Sequence, residues 1–346
     1  MRSGFGNISS AAAAKLLIVL AAAAALLGLP ADRRASGQDS AQRRPLDPKS
    51  WGADHVGQPV PEYVHGDECL FCHRYDVGVT WQQNAHGVTV RQREDAPELA
   101  AMLEAQPALA GAAKQVEYFL GSRHRVRFLK KEGYGKFAML NAQAALGEGG
   151  PAKSPAKVID GARPMWDQEK FADRCAGCHA TAVDPATKTF SAFGLDCYVC
   201  HGVVDLNHSK DISLVLLSKK QRRDAKVITS LCAQCHLRGS ASRSTGRPYP
   251  NNFVAGDNLF RDLEVNWARA DDEKLNSGDR HVWRNAREVA LHGNESITCL
   301  SCHQVHGGSS LKHRRVLRAA ICSECHEGEG FKAVKRYSVH SELCEY

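Results

Sequence analysis

Beyond residue 29 the sequence has no apolar stretch long enough to cross a membrane as a helix. It has no large excess of charge either. The formal charge is +7 over 346 residues, but the first 37 carry a net +3, from Arg2, Lys15, Arg33 and Arg34 against Asp32, and leave +4 for the rest. A balance that small makes no case for nucleic-acid binding. With hydrophobic residues at 43 % and charged residues at 24 %, the composition is globular, not that of a disordered chain. No cysteine follows the early apolar run, which argues against lipid attachment at the amino terminus.

What the sequence has is cysteine and histidine, 13 and 16 of them. Twelve of the cysteines fall into one pentapeptide, Cys-x-x-Cys-His. The six copies are Cys69/Cys72/His73, Cys175/Cys178/His179, Cys197/Cys200/His201, Cys232/Cys235/His236, Cys299/Cys302/His303 and Cys322/Cys325/His326. One copy could be half a zinc ribbon or a redox dithiol. Six copies exclude both, because a zinc ribbon does not need a histidine after every second cysteine. A disulfide framework would not space its cysteines in uniform pairs. The pentapeptide is the attachment signature of c-type haem: each thiol forms a thioether to a vinyl group, and the histidine becomes an axial iron ligand. The sequence therefore implies six haem c groups. Their propionates bring the holoprotein near neutral or mildly acidic.

Taken in order, residues 1–37 read as a signal peptide. Arg2 and Lys15 precede the apolar run 16–29, and Ala35-Ser36-Gly37 offers a cleavage site before Gln38. An uncleaved anchor is the alternative. Residues 38–60 read as a linker, and 61–346 as one hexahaem domain. Haem 1 attaches at 69–73 and is followed by an insertion, 91–165. Haems 2–4 attach at 175–236 and haems 5–6 at 299–326. Inside the insertion, residues 96–114 are Ala/Leu-rich and helical in character, interrupted by Pro107. Residues 115–140 read as a small β-meander, the one sheet expected, and 144–164 as loop. Helices are expected over 213–232, 259–276 and 279–292. The expected fold is mainly α and loop-rich. At about 50 residues per haem, porphyrins would form the core, packed against Trp81, Trp166, Trp267 and Trp283.

Ten histidines lie outside the motifs, and six would complete six-coordinate irons. His306 is three residues after His303, a span of at most about 10 Å, too short to pass round the same porphyrin. It would serve a neighbouring haem. His208, seven after His201, reaches its own or a neighbouring iron. His86, His292 and His340 are further distal candidates. The sixth position falls to His124, His65 or His281, or else one iron is open. His55 and His313 are expected in solvent. Cys344, the odd cysteine, reads as an inert or crosslinked thiol. The basic runs 219–223 and 312–315 are either solvated faces or contacts for propionates or an acidic partner.

With these motifs in view, the chain resembles bacterial multihaem c-type cytochromes. In particular it resembles the family of the tetrahaem cytochrome that accepts electrons from hydroxylamine oxidoreductase. The resemblance rests on CAGCHAT, GLDCYVCHG with His208, CAQCHLRG, CLSCHQVHG and CSECH in that order, and on Trp81 with His86. It covers about 61–340 and is strongest over 171–330. It implies bis-histidine haems in close stacked and perpendicular pairs, and one-electron transfer. The expected role is a periplasmic or extracellular electron carrier with redox proteins as donor and acceptor, and no enzyme activity. Alternatives left open are a multihaem reductase or oxidase of a small nitrogen or sulfur compound, with one open iron, and a subunit of a membrane-bound or multihaem conduit. Self-association and outer-membrane association also stay open. There is no Cys-x-x-Cys-Lys site, the usual marker of ammonia-forming nitrite reductases.

Overall fold

The computed structural model describes residues 55–59, 61–121, 125–146, 155–218 and 224–307. The expected leader, almost all of the expected 38–60 linker, His124, both basic runs, His313, His340 and Cys344 lie outside the described residues. So does the whole sixth motif, with the expected thioether cysteines Cys322 and Cys325 and the expected iron ligand His326. No described helix is long and apolar enough to cross a membrane.

The chain enters through helix α1 (Gly66–His73), whose last residues are the first motif. The insertion then builds an antiparallel sheet that reaches well beyond the expected meander. Its strands are β1 (Val90–Gln92), β2 (Tyr118–Leu120), β3 (Arg125–Gly133), β4 (Lys136–Ala145), β5 (Lys157–Val158) and β6 (Trp166–Asp167). The first five run in that order, and β6 joins β5 on the free edge of β4. Strand β4 reads KFAMLNAQAA and is buried on both faces, the mark of a central strand rather than a half-exposed one. Segments too short to carry their own periodicity (β1, β5 and β6) are recruited by β2 and β4, so the sequence pattern missed them.

Helices α2 (Pro97–Glu104) and α3 (Ala110–Ala113) cover one face of the sheet, with Pro107 opening the turn between them. Leu99, Leu103, Leu109 and Ala113 pack there on Phe119, Val126, Phe128 and Leu140. The Phe119 and Phe128 rings meet edge to face at 6.1 Å. The opposite face, with Leu129, Phe137 and Met139, receives α4 (Lys170–Arg174) and α5 (Ala176–His179), and so carries the second motif. Two small two-stranded sheets follow elsewhere: β7 (Ala180–Thr181) with β8 (Ala192–Phe193), and β9 (Ala241–Ser242) with β10 (Leu263–Glu264).

Helix α6 (Cys197–His201) is the third motif, and α7 (Ala225–His236) ends in the fourth. The expected helix 213–232 starts only at Ala225, because Asp224 accepts hydrogen bonds from the Lys226 and Val227 N–H groups as an N-cap. The expected helix 259–276 is two 3-10 turns, Leu259–Arg261 and Trp267–Asp271, separated by β10. Asn258 and Asn266 each cap one of them, which restarts the backbone twice. Helix α8 (Ser277–His292) forms as read. Asn276 caps its start, and Gly293 at φ +63° closes it in the left-handed conformation that glycine adopts at least cost. A short turn, α9 (Cys299–Cys302), holds the fifth motif.

The protein has apolar clusters of its own. Besides those on the two sheet faces, α7, α8 and the turns before α8 enclose Leu259, Phe260, Leu263, Trp283 and Val289. Trp283 is 1 % exposed and stands edge-on to Trp267 at 6.4 Å. Trp166 packs on the sheet cluster beneath the Lys130 ammonium. These three tryptophans serve side-chain cores. The average of residues per haem concealed an uneven distribution: about a hundred residues between the first two motifs carry none, and they fold around themselves.

Replacing Phe128, fully buried between sheet and helices, with Ala removes a core ring and leaves a cavity. It should cost about 3–5 kcal/mol. The change reads out as a lower guanidinium midpoint of the holoprotein, whereas Tyr134→Ala at an 84 % exposed turn should stay within about 0.5 kcal/mol.

Candidate haem sites

Each described motif is built on a helical turn. Four close or form a short helix, and the second is split between Cys175 and α5. On a helical turn, positions three apart share a face, so the two thiols become neighbours with the histidine just beyond them. Local contacts fix two of these turns. The Asp196 carboxylate caps α6 at the Cys197 N–H and also accepts from the Gly66 N–H (3.0 Å) and the Tyr63 hydroxyl. Burial and this carboxylate push the Tyr63 phenol above its usual range, which keeps it a donor. A side chain at Gly66 would collide with Asp196, so glycine is required for that approach. In α5, a side chain at Gly177 would run into the Tyr249 ring, which packs there and donates to the Ala172 carbonyl.

The motif turns touch in pairs, two of which skip a motif: α1 with α6 and α5 with α7, and also α7 with α9. Their sulphurs meet at those contacts, Cys69 with Cys197, Cys178 with Cys235 and Cys232 with Cys299. Reciprocal contacts run from Cys178 Sγ to the Gln234 carbonyl (3.8 Å) and from Cys235 Sγ to the Gly177 carbonyl (3.9 Å). Burial pushes the Cys175 and Cys200 thiols up to about 11. A thioether sulphur carries neither proton nor charge, so these positions suit it.

Cys72 departs from this pattern. It is exposed, whereas the other described motif cysteines are half-buried. The cause is local: α1 meets α6 at Cys69, and Cys72 lies almost a turn further along, beyond that contact and next to the exposed Phe71.

Histidine rings from distant segments face one another. His73 and His208 have ring centres 6.1 Å apart, His201 and His306 5.8 Å, and His86 and His236 6.3 Å. A ligating nitrogen lies about 2 Å from its metal and the ring centre roughly 1 Å further, so two axial imidazoles have centres roughly 6 Å apart. All three pairs have that separation. The ring planes are 23° and 28° apart in the first two pairs and 73° in the third.

In three of these histidines a hydrogen bond fixes the ring at Nδ1. Nδ1 of His73 lies 2.9 Å from the Asp76 carboxylate, that of His201 2.9 Å from the Leu216 carbonyl, and that of His208 2.7 Å from the Asp205 carbonyl. An acceptor at Nδ1 places the proton there and leaves the Nε2 lone pair for a metal. Burial also holds His201 and His306 below the usual histidine range and His179 down at about 4, which keeps them neutral. His179 carries a buried Nδ1 with no hydrogen-bond partner among the described residues. No three His, Cys, Asp or Glu side chains among the described residues converge on one metal position; an axially ligated haem iron needs only two.

Exposed apolar side chains mark the same places. Around the first motif are Phe71, Tyr75 and Val79; beside the third motif and His208 are Val203, Ile212 and Leu214; just ahead of the third and fifth motifs are Phe193 and Ile297. Among the described residues, Tyr134 and Met165 are the exposed large hydrophobics that lie elsewhere. A flat apolar group covering these residues is what the motifs call for. The residues present fit covalently attached, axially ligated haem.

Of the remaining histidines, His292 ends α8 with Nδ1 3.1 Å from Glu288, and no histidine ring faces it among the described residues. His65 caps α1 by accepting from the Asp67 N–H. His281 is hydrogen-bonded to Asn285. His55, expected in solvent, is instead bound to the buried Asp257 at 2.7 Å. Two residues that sequence reasoning passed over hold this arrangement together, Asp196 and Asn84. Asp196 had a readable signal, an acidic residue just before a motif helix. Asn84 had none, because the carbonyls its amide donates to lie more than 220 positions away.

No protein-family model matches the sequence, and no curated protein does. Two solved structures are similar. One is the outer cell wall cytochrome OcwA, 21 % identical at a TM-score of 0.52, covering 78 % of this chain and 68 % of that one. The other is the undecahaem cytochrome from the S-layer of Carboxydothermus ferrireducens, 19 % identical at a TM-score of 0.42, covering 79 % of this chain and 44 % of that one. The likeness to OcwA is one of fold: this chain folds like a cytochrome of that kind.

Asp196→Ala strands the Tyr63 hydroxyl and the Gly66 and Cys197 N–H groups at once, and should destabilise the holoprotein by roughly 2 kcal/mol. A guanidinium titration measures this. An unchanged midpoint would mean that the carboxylate does not join the first and third motifs.

Proposed function

We propose that the chain is an exported electron carrier with six covalently bound haem c groups, one per Cys-x-x-Cys-His, and histidine at both axial positions of most irons. Three histidine pairs at iron-spanning separation carry this reading. His73 and His208 ligate haem 1, which Cys69 and the exposed Cys72 attach. His201 and His306 ligate haem 3, and His236 and His86 haem 4. Haem 6, on Cys322 and Cys325 with His326 as its proximal ligand, rests on the pentapeptide alone. When bound, each haem supplies a one-electron ferric/ferrous couple. His208 thus reaches past its own motif to the first, and His306 past its own to the third. Segments distant in sequence are bound together through iron.

The residues' part is to hold ligand geometry constant while the iron changes charge. Asp76 and the Leu216 and Asp205 carbonyls fix ring orientation at Nδ1 and raise ligand basicity. With both axial positions filled by protein, no coordination site is left for a small substrate at these three irons, which supports a carrier rather than an enzyme. The touching motif turns form two groups, the first motif with the third, and the second with the fourth and fifth; ligation of haem 4 by His86 and of haem 3 by His306 joins them into one array. His292, His340 and His124 remain distal candidates for haems 2, 5 and 6. The amino-terminal leader, and a fold shared with an outer cell wall cytochrome, support export to the periplasm or beyond it. Redox proteins are the partners such an array requires.

The test is to replace His208, His306 and His86 singly with Ala and record low-temperature EPR, then carbon monoxide binding after reduction. Each variant should convert one low-spin haem to high spin and gain one carbon monoxide adduct. A variant whose spectrum matches the parent protein would remove that histidine from the ligand set.

A further inference from the structure

Two of the three distal histidines, His86 and His306, come from segments 220 positions apart, and one buried side chain holds both. Asn84 is completely buried. Its amide nitrogen donates to the Val305 and Gly307 carbonyls, the second at 2.9 Å, and so brackets His306 on both sides. Its amide oxygen accepts from the His86 N–H at 2.9 Å. The amide's two donor hydrogens and one of its acceptor positions are therefore used. Thr80, one turn earlier, donates to the carbonyl of His306 itself at 2.7 Å. The Trp81 ring stands edge-on to the His306 ring at 6.4 Å. On the other side, the Leu195 N–H donates to the His86 carbonyl at 3.2 Å, which ties the clamp to the loop between β8 and the third motif.

We propose that Asn84 is the positioning residue that sets the distal ligands of haems 3 and 4 together, with Thr80 acting on the His306 side alone. The proposal rests on His306 and His86 being those ligands. A buried amide satisfied in this way is costly to loosen, because each lost partner strands a polar group out of water. The two distal rings are therefore placed by one rigid unit, residues 80–86 with 305–307, rather than by two independent loops. A one-ångström shift of that unit moves both rings relative to irons held by separate motifs.

The variants Asn84→Ala and Thr80→Val, made in the full holoprotein, separate the two sides of the clamp. Intact mass should show six haems on each, since neither change touches a thioether cysteine. Low-temperature EPR should find two haems converted wholly or partly to high spin in Asn84→Ala, and one in Thr80→Val. Added imidazole should return them to low spin. A purely structural role would instead lower the unfolding midpoint with the parent spectrum intact, or spread high-spin signal over all six haems; either result overturns the proposal. If His86→Ala and His306→Ala each convert one haem while Asn84→Ala leaves the parent spectrum, the positioning role fails and the ligand assignment stands. If neither histidine variant changes the spectrum, the ligand assignment fails and takes the positioning role with it. If Asn84→Ala yields no holoprotein, Thr80→Val decides alone: one altered haem supports the clamp and none overturns it.

Discussion

An axially ligated iron needs a donor on each face of a porphyrin, with the ring in between. Cys-x-x-Cys-His satisfies one face from a single helical turn, and the same short tether keeps it from the other. The second donor must arrive from elsewhere in the chain at a ring-to-ring separation of roughly 6 Å. Under the proposed ligation, three ring pairs of the described structure answer that demand. The segment after α1 supplies a ring to the fourth motif, the loop after α6 supplies one to the first, and the tail of α9 supplies one to the third. Each exchange joins parts of the chain that no strand pairing joins.

Polar side chains with several partners hold the exchanged segments. Asp196 couples the first and third motif turns through Tyr63, Gly66 and Cys197. Asn84 couples the segments that carry His86 and His306. Neither carries a motif thiol or an imidazole, yet each joins segments that do. The sheet makes a different contribution: one face packs on its own helices, and the other presses against α4 and α5 and so positions the second motif by apolar packing.

Local signatures were legible in the sequence because their causes are local. The pentapeptides declare their chemistry within five residues, Pro107 breaks its helix, and Asn276 with Gly293 bounds α8. What surrounds a pentapeptide is another matter: Cys69 and Cys72 share one motif, yet only Cys69 is covered by a neighbouring turn. Where short-range polar groups compete, the pattern misled: the Asp224 cap delayed α7, and the Asn258 and Asn266 caps cut one expected helix into two turns. The reach of the sheet was hidden because β1, β5 and β6 are two or three residues long and exist only through their neighbours. Spacing could say that His306 cannot reach its own iron, but not that His201 faces it. That pairing depends on contacts such as the one between Thr80 and His306, 226 positions apart, and nothing in a single sequence encodes such a distance.

The central claim, that three named histidine pairs each bracket an iron, is open to one direct measurement. Anomalous diffraction at the iron edge from crystals of the holoprotein locates every iron without reference to spectra. The account predicts an iron midway between His73 and His208, another between His201 and His306, and a third between His236 and His86. A pair with no iron between its rings would contradict it.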